Sequence, residues 1–313
     1  SSKIMKLNIE NEEISLKIPA TIANIVCGFD ILGMAVNEPF DDIKIKISEK
    51  PGIQIKHTDP YGLPEDPKKN VAGVALQAMM NEMDEPPGFS ISIHKNILPG
   101  SGLGSSGASA LGTVAAANIL LGKPFSHEQL IRFAMEGERA ASGTAHADNV
   151  APCLYGGITL ISSEPALQIN TLPYPELFVV ILHPQIEVKT SDSRKIIKKE
   201  IQLKTAVRQW GYIAGLVAGF CKKDIELIRR SLNDVVFEPA RSLLIPKFKE
   251  LKSAAIGAEA LGGGISGSGP AVFMLCDQMS VAENVEEKMN EIYTKSGIDF
   301  KTYLTTIKST PLL

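Results

Sequence analysis

The sequence has few of the features that mark membrane, secreted or metal-stabilised proteins. Its four cysteines (Cys27, Cys153, Cys221 and Cys276) form no CxxC pair, and its five histidines form no HExxH or other short-spaced pair. We therefore expect no zinc site and no disulfide framework, and the scattered thiols favour a reduced, cytoplasmic enzyme. No run approaches about 18 apolar residues, and the N-terminus lacks the apolar stretch of a secretory signal. Neither a transmembrane helix nor a leader is expected.

Neither positive nor negative charge predominates in the sequence. The 32 basic and 35 acidic side chains give a formal net charge of −3, which argues against a general nucleic-acid binder but allows a local basic pocket. Hydrophobic residues make up 44 % and charged residues 21 % of the 313 positions, a globular composition. Domains usually contain roughly 100–200 residues, so this length predicts two of them.

Hydrophobic periodicity predicts an α+β protein. Residues 14–18, 43–47, 53–56 and 89–93 alternate apolar and polar side chains, which is typical of strands with one buried face. Helical spacing follows at 70–83, at 105–121, which carries no charge and should be buried, and at 126–141, where Ser126 and Gln129 form a capping box.

The second half mixes helices and strands. Proline-rich residues 162–177 look like the crossing between domains, so we place the boundary between residues 1–170 and 171–313. Beyond it, strands are predicted at 177–182, 271–275 and 302–307, and helices at 191–201, 203–221, 224–232, 240–261 and 280–296.

The most informative segment is the glycine- and serine-rich run from Pro99 to Ser109, between a predicted strand and a predicted helix. Glycines let the backbone approach a ligand, and the free amides of a helix N-terminus attract an anion. Gly102–Gly107 matches GxGxxG, but a Rossmann site needs an acidic residue where this chain has Lys123-Pro124-Phe125. No GK[ST] follows, which excludes a Walker A loop. A plain glycine turn is the alternative for this run taken alone.

Three segments in order resemble the motifs of the GHMP kinases. The run Pro99–Ser106 is similar to their phosphate-binding loop, Pro19–Asn24 with Gly28–Gly33 to their first motif, and Gly262–Pro270 to their third. This resemblance implies an N-terminal ribosomal-protein-S5-like domain, a C-terminal ferredoxin-like domain and an active site between them. It also implies ATP and Mg²⁺ as the cofactors.

Within that superfamily the chain most resembles the homoserine kinase family, from Ile18 to Pro270. The resemblance is carried by Asn24 with Gly28-Phe29-Asp30, by His146–Pro152, by Thr190 with Arg194, and by Arg241. It implies transfer of the γ-phosphoryl group of ATP to L-homoserine in threonine biosynthesis, by a cytoplasmic homodimer with no nucleic-acid or membrane partner. The alternatives are a GHMP kinase for another small alcohol, such as mevalonate or shikimate, and a non-catalytic ATP-binding sensor.

A zwitterionic substrate needs carboxylates for its ammonium group and arginines for its carboxylate. By resemblance, Arg194 and Arg241 bind the carboxylate, Asn24, Asp30 and Asp148 surround the amino group, and His146 lines the pocket. Thr190 is a further substrate-binding residue by the same resemblance. Each residue alone also allows a plainer interpretation. Arg194 could belong to a solvated basic helix, Arg241 could be an exposed first-turn residue, and Asp148 and Asn149 could be ordinary turn residues.

The resemblance assigns catalysis and metal binding to a serine of the loop and a glutamate of the following helix. The serine is Ser106 or Ser105. The glutamate is Glu138 rather than Glu136, because the two point about 200° apart on a helix. Asn149 would orient the reacting hydroxyl, and Asp148 could in principle act as a base.

The same resemblance implies an ATP site. Its residues are Asn70 at the adenine and the loop residues Pro99, Gly100, Ser101, Gly102, Leu103, Gly104, Ser105 and Ser106. Lys95 could approach the phosphates, but an exposed strand lysine is the favoured interpretation.

The chain departs from the family pattern at two places. Homoserine kinases usually have Leu-Gly-Pro where this chain has Ile25-Val26-Cys27, which could change the path of the loop beside the substrate. Gly107 replaces the usual alanine. Neither change removes a proposed catalytic atom.

Overall fold

The computed structural model describes residues 13–163, 165–188 and 190–313, but not the side chains of residues 190–192. The described strands are β1 (Glu13–Ala23), β2 (Leu32–Ser48), β3 (Ile53–His57), β4 (Gly88–His94), β5 (Ile158–Ser162), β6 (Gln168–Leu172), β7 (Phe178–Pro184), β8 (Gly262–Ile265), β9 (Val272–Cys276) and β10 (Phe300–Thr306). The described α-helices are α1 (Val71–Met80), α2 (Ser105–Leu120), α3 (His127–Ser142), α4 (Val150–Tyr155), α5 (Thr190–Lys195), α6 (Leu203–Lys222), α7 (Ile225–Ser231), α8 (Glu238–Arg241), α9 (Phe248–Gly257) and α10 (Met279–Ser296).

The first sheet has the order β3-β4-β2-β5-β6, with β1 also paired to the long strand β2. Only β3 and β4 run parallel among these pairs. Helix α2 packs on β1 and β2 and is buried over nearly all of its length, as its lack of charge predicts. The capping box of Ser126 and Gln129 is present at the start of α3.

The second sheet has the order β10-β7-β9-β8, and all its pairs are antiparallel. If the four strands of this sheet are numbered along the chain, their order in the sheet is 4-1-3-2. This order, with crossover helices, is that of a ferredoxin-like split βαβ unit. Helix α10 and helix α9 cover this sheet, and the core between them is built on Val180, Leu251, Met274 and Tyr293. The two-sheet α+β architecture agrees with the sequence prediction.

One local prediction is wrong, and two segments contain strands that the sequence did not indicate. Residues 162–177 contain strand β6, which pairs with β5, although prolines flank it. The predicted helix 240–261 is interrupted after α8 and a short 3₁₀ turn, because Pro246 cannot continue a helix. Residues 262–265, for which no strand was predicted, form strand β8 beside β9.

The two halves are joined beyond the predicted boundary. After β10, Ile307 forms a bridge with Val36, and the N–H of Lys308 donates to the carbonyl of Ala35 at 2.9 Å. The end of the chain therefore packs on the first sheet, and the division between residues 170 and 171 stays a prediction. Across the described ranges, no helix is both long and apolar enough to cross a membrane.

Candidate active site

The three segments with the sequence motifs meet in the structure. The N–H of Thr21, in the first motif, donates to the carbonyl of Leu103 at 3.1 Å. From the third motif, the hydroxyl of Ser266 donates to the carbonyl of Gly102 at 2.7 Å, and the N–H of Ala271 donates to the carbonyl of Ser101 at 3.0 Å. The glycine-serine loop is thus held from both sides, by residues far away in the sequence.

The loop needs its glycines for their backbone conformation. Gly100, Gly102 and Gly104 have φ values of 75°, 84° and 70°, in the left-handed region that glycine adopts without strain. A Cβ on Gly104 would overlap the hydroxyl of Thr21, and a Cβ on Gly102 would collide with the carbonyl of Ser266. Gly104 is the residue immediately before α2, so the free amides of that helix N-terminus follow it.

A cleft of about 470 Å³ opens in front of the loop. Most of the residues selected from the sequence line it: Asn24, Asp30, Asn70, Pro99, Gly100, Gly102, Gly104, Ser105, Ser106, Glu138, His146, Asp148, Asn149, Arg194 and Arg241. Ser101 and Leu103 are buried behind the loop, and the Ser101 Oγ accepts the N–H of Leu103. These two residues shape the loop and do not form the wall of the cleft.

The two candidate serines differ in what their hydroxyls do. Ser105 Oγ donates to the carbonyl of Ile97 at 2.8 Å, whereas Ser106 lies beside the carboxyl group of Glu138 and favours its charged form. Burial raises the pKa of Glu138, and its Oε1 is buried without a partner among the described residues. Glu136 instead pairs with Arg139 on the exposed side of α3. Ser106 and Glu138 are therefore the pair that faces the cleft.

This pair suits a hard cation that is shared with a phosphate group. Mg²⁺ commonly takes one or two protein oxygens and completes its shell with water and phosphate oxygens. The buried, unpartnered Oε1 of Glu138 beside the Ser106 hydroxyl meets that need. Among the residues described, no group of three or more His, Cys, Asp or Glu side chains is arranged so that it could hold a metal ion, so the cleft does not resemble an all-protein metal cage.

Lys95 is not the exposed strand lysine that we expected. It is buried, and its Nζ donates to Asp41, to the carbonyl of Ser105 at 2.8 Å and to Ser109 Oγ at 2.9 Å. These bonds use all three N–H groups of the ammonium. Asp41 in turn accepts the N–H of Ile97 at 2.8 Å. The buried pair joins β2 and the end of β4 to the first turns of α2, beneath the loop.

Asn149 and Asp148 lie at the start of α4, on the far side of the loop. Thr21 Oγ1 donates to Asn149 Oδ1 at 2.8 Å. This bond fixes the orientation of the Asn149 amide and does not involve its NH₂ group. Burial, reinforced by the negative charges of Asp30 and Glu138, raises the pKa of Asp148 to about 7. A cation entering the cleft would relieve this unfavourable burial of charge.

Asp30 is the centre of a group of charges. Arg194 Nη2 donates to its Oδ1 at 3.0 Å, and the Nδ1 of His146 lies 3.6 Å from its Oδ2. Burial lowers the pKa of His146, opposed by the charge of Asp30. Asn24 orients the loop, because its Oδ1 accepts the N–H of Asp30 at 3.0 Å and its Nδ2 donates to the carbonyl of Gly267 at 3.1 Å.

Arg241 lies close by and is buried. Its Nε donates to the carbonyl of Ser193 at 3.2 Å and its Nη1 to that of Gly267 at 3.1 Å. Burial and the neighbouring charge of Arg194 lower its pKa to about 10. The side chain of Thr190, the third residue predicted at this end of the cleft, lies outside the described residues.

Asn70 also lines the cleft and is the N-cap of α1. Its Oδ1 accepts the N–H of Ala72 at 2.9 Å, and its Nδ2 donates to the carbonyl of Pro64 at 2.7 Å and to His57 Nε2 at 3.0 Å. The amide hydrogen atoms are therefore both used within the protein. The predicted contact with adenine would have to use the rest of the side chain.

The sequence reasoning gave no role to Thr21 or Phe29 and the wrong environment to Lys95. Thr21 holds Asn149, Lys95 supports the loop, and Phe29 lines the cleft close to the two arginines. Thr21 and Phe29 both lie inside the first motif, so their positions were available as a signal. No local pattern marks Lys95 as buried, because its partner Asp41 is on another strand.

Comparisons with known proteins agree with this geometry. The family model for the GHMP kinases N terminal domain matches residues 70–157, and the model for the GHMP kinases C terminal domain matches residues 216–295. The chain belongs to the GHMP kinases and has their fold.

Individual relatives give a narrower family. The chain is 43 % identical over 290 residues to a homoserine kinase of Chloroherpeton thalassium, covering 88 % of this chain and 91 % of that one. It is also 43 % identical over 296 residues to one from Chlorobium phaeobacteroides, covering 90 % and 92 %. The crystal structure of homoserine kinase from Cytophaga hutchinsonii matches with a TM-score of 0.93 and 42 % identity over 97 % of both chains. The chain belongs to the homoserine kinase family, whose members are ATP-dependent kinases that act on an alcohol.

Proposed function

We propose that this protein phosphorylates the side-chain hydroxyl of L-homoserine with ATP and forms O-phospho-L-homoserine, a step of threonine biosynthesis. The observation that carries the proposal is the arrangement of charges beside the loop, with Asp30 and Asp148 next to Arg194 and Arg241. A zwitterion is complementary to this set of charges, whereas mevalonate and shikimate have no ammonium group. The names of the similar proteins support the same substrate.

The amino-acid part of the substrate would be bound by ion-pair exchange. Without substrate, Arg194 and Asp30 neutralise each other. An entering zwitterion can offer its ammonium to Asp30 and its carboxylate to Arg194, so that one ion pair is replaced by two. Asp148 would take part in binding the ammonium, and Arg241 in binding the carboxylate. Asn24 and His146 complete the pocket around Asp30, and Thr190 is proposed as a further substrate-binding residue by family resemblance alone.

ATP would place its phosphates at the loop. The positive-φ glycines from Gly100 to Gly104 keep side chains out of the way, and the N-terminus of α2 offers free amides and the positive end of a helix dipole. Ser106 and Glu138 would hold Mg²⁺, which neutralises charge on the phosphates during transfer. Asn70 would line the adenine end of the cleft.

Phosphoryl transfer depends mainly on positioning and on charge stabilisation. The bond from the γ-phosphorus to the bridging oxygen breaks, the homoserine oxygen takes the phosphoryl group, and the hydroxyl proton is released. Asn149 would orient that hydroxyl with its NH₂ group, because the bond from Thr21 uses only the amide oxygen. This assignment needs no dedicated base. Asp148 is the neighbouring residue, and its role as a base can be compared with the role of Asn149 by substituting each residue in turn.

We also propose that the protein is a cytoplasmic homodimer. All four cysteines are free thiols, in keeping with a reducing compartment. On α6, Leu203, Val207 and Trp210 are exposed by 72, 54 and 57 %, and their spacing puts them on one helix face. Such an apolar face fits a second copy of the chain. Light scattering should give the mass of a dimer, and Trp210→Glu should give that of a monomer.

The substrate is tested by coupled ADP release with Mg-ATP and a panel of L-homoserine, D-homoserine, L-serine, L-threonine, mevalonate and shikimate. Turnover confined to L-homoserine, with a phosphomonoester seen by phosphorus NMR, is the expected result. Turnover with mevalonate or shikimate instead would contradict the assigned pocket. Tight ATP binding without any turnover would favour a non-catalytic sensor.

The role of Arg194 is tested with a matched pair of variants. Arg194→Met should raise the KM for L-homoserine at least about tenfold, since hydrogen bonds to charged groups contribute about 1.5–3 kcal/mol. Arg208→Met, on the exposed side of α6, removes the same charge away from the cleft and should leave that KM within about twofold. Similar effects of both variants would contradict the assignment.

A further inference from the structure

The ring of Phe29 lies close to both arginines of the cleft. The guanidinium carbon of Arg194 is 5.4 Å from the centroid of the ring, and that of Arg241 is 5.0 Å from it. Both distances are in the range of a cation–π interaction, in which a cation is attracted by the negative face of an aromatic ring. One ring thus interacts with two cations, and this arrangement is not explained by packing in a hydrophobic core.

The two guanidinium groups need such a partner before substrate arrives. They repel each other, and the nearby carboxylate of Asp30 is paired with Arg194. Arg241 is held only by the carbonyl groups of Ser193 and Gly267 among the described contacts of its guanidinium nitrogens. A π face attracts both cations without donating a full negative charge, so it can hold them together and still leave them available to an incoming carboxylate.

The position of the ring is itself fixed. Phe29 is stacked on Phe237, with centroids 3.9 Å apart and an interplanar angle of 16°. Phe237 is the residue before α8, and its carbonyl accepts the N–H of Arg241 at 3.1 Å. The stack therefore connects the loop that carries Asp30 to the helix turn that carries Arg241. It sets the spacing between the ammonium-binding and the carboxylate-binding groups.

We propose that Phe29 is a positioning residue that determines specificity, because its ring face holds Arg194 and Arg241 in the arrangement that receives the substrate carboxylate. This inference rests on the proposed function, in which those two arginines bind the carboxylate of an amino-acid alcohol. Phe29 then selects alcohols that carry a carboxylate at the right distance from an ammonium group. It has no contact with the reacting hydroxyl in this role and should act on substrate affinity rather than on the chemical step.

The test replaces Phe29 by mono-, di- and trifluorinated phenylalanine. These side chains keep the shape of the ring while its face becomes progressively less negative, so a packing role and a cation–π role give different results. The KM for L-homoserine should rise stepwise with each fluorine, to about tenfold in the trifluorinated protein. The kcat and the KM for ATP should stay within about twofold. The inhibition constant of 3-aminopropan-1-ol, which lacks the carboxylate, should not follow the series.

A matched control and a conventional pair of variants complete the test. The same series at Phe125, which makes an edge contact with Phe133 at 5.2 Å between ring centroids and does not line the cleft, should leave every KM unchanged. Phe29→Leu should raise the KM for L-homoserine about tenfold, and Phe29→Tyr, which keeps an aromatic face, should restore it to within about twofold.

The outcomes separate this inference from the proposed function. If the unmodified protein does not phosphorylate L-homoserine, both are overturned. If it does, but the KM stays flat across the fluorinated series, Phe29 acts by packing and the inference alone is overturned. An equal rise in the KM for ATP, or in the inhibition constant of 3-aminopropan-1-ol, would also overturn it, because the effect would then not depend on the carboxylate.

Discussion

Replacement of Asp148 by asparagine should stabilise the unliganded protein, and more so at high pH. Burial, with the charges of Asp30 and Glu138, raises the pKa of the Asp148 carboxyl from 3.8 to about 7. The folded protein therefore holds a proton that the unfolded chain has lost between those two values. Stability falls as the pH rises through this window, because the unfolded state binds fewer protons there. An asparagine carries no charge to bury at any pH.

The size of the effect follows from the two pKa values. At about 1.36 kcal/mol per pKa unit, the raised pKa costs about 2 kcal/mol of stability at pH 5, where the folded carboxyl is protonated, and about 4 kcal/mol at pH 8.5, where its charge is buried. The difference, about 2.5 kcal/mol, corresponds to roughly 4 °C in Tm for a chain of this length. We expect Asp148→Asn to raise Tm modestly at pH 5 and by roughly 6 °C at pH 8.5.

The assay is thermal unfolding followed by far-UV circular dichroism at both pH values, with a chelator present and no nucleotide. Asp84→Asn, in an exposed turn, controls for the loss of one negative charge at the surface. An equal gain in Tm at pH 5 and pH 8.5, or a gain shared by the control, would refute the reasoning. Saturating L-homoserine should reduce the advantage of Asp148→Asn, because an ammonium beside the carboxylate favours its charged form.

Three further predictions concern the loops around the cleft. Gly104→Ala should abolish most activity, because a Cβ there would overlap the Thr21 hydroxyl. Gly143 also has a positive φ but has open space around it, so Gly143→Ala should cost only about 1 kcal/mol of stability and keep kcat. Asn149→Leu should lower kcat far more than it weakens ATP binding, measured by steady-state kinetics and by calorimetry with Mg-ATP. Val26→Gly should be no less stable in urea than Val26→Ala, since the φ of 68° is strained for any residue with a Cβ.

Each of these has a result that would contradict it. Equal loss of activity in the Gly104 and Gly143 variants would show that backbone strain alone explains both. Equal losses of kcat and ATP affinity for Asn149→Leu would remove its role in orienting the hydroxyl. At an ordinary position glycine is about 1 kcal/mol less stable than alanine, so the same penalty at Val26 would mean that the loop carries no strain there.

Much of the fold could be predicted because its signals are local. The alternating segments became β1 to β4, since each of these strands buries one face, and the uncharged run 105–121 became the buried helix α2. The glycine strand β8 could not be predicted from composition. A Cβ on Gly263 would collide with the backbone of Phe273 on the neighbouring strand. The need for glycine in β8 therefore depends on a neighbouring strand, which the local sequence does not reveal.

The residues that line the cleft could be predicted from the motifs, but the contacts that support them could not. Family resemblance selected Asp30 and Arg241, and the cleft brings them together. The stack of Phe29 on Phe237 joins residues more than two hundred positions apart, and no pattern near either residue indicates it. Likewise, the buried pair of Lys95 and Asp41 depends on a strand pairing that only the fold defines.

The departure at Ile25-Val26-Cys27 shows how the loop keeps its shape with unusual residues. Asn24, Ile25 and Val26 all have positive φ, although the family usually has a glycine at the third of these positions. Val26 is buried, and burying a valine contributes about 1.5–3 kcal/mol, which offsets a strain of about 1–2 kcal/mol in the left-handed region. The loop is therefore held by packing rather than by backbone freedom.

In the proposed function, discrimination by this cleft would follow from charges that the protein buries at a cost to its own stability. Burial raises the pKa of Asp148 to about 7 and lowers that of Arg241 to about 10, so both groups are poorly solvated when the cleft is empty. A ligand with an ammonium and a carboxylate can partner each of them. A ligand that lacks either group leaves one buried charge unpaired, and the cost of that exceeds the loss of a contact on the surface. Selectivity for a zwitterionic alcohol should therefore be greater than the number of its hydrogen bonds suggests.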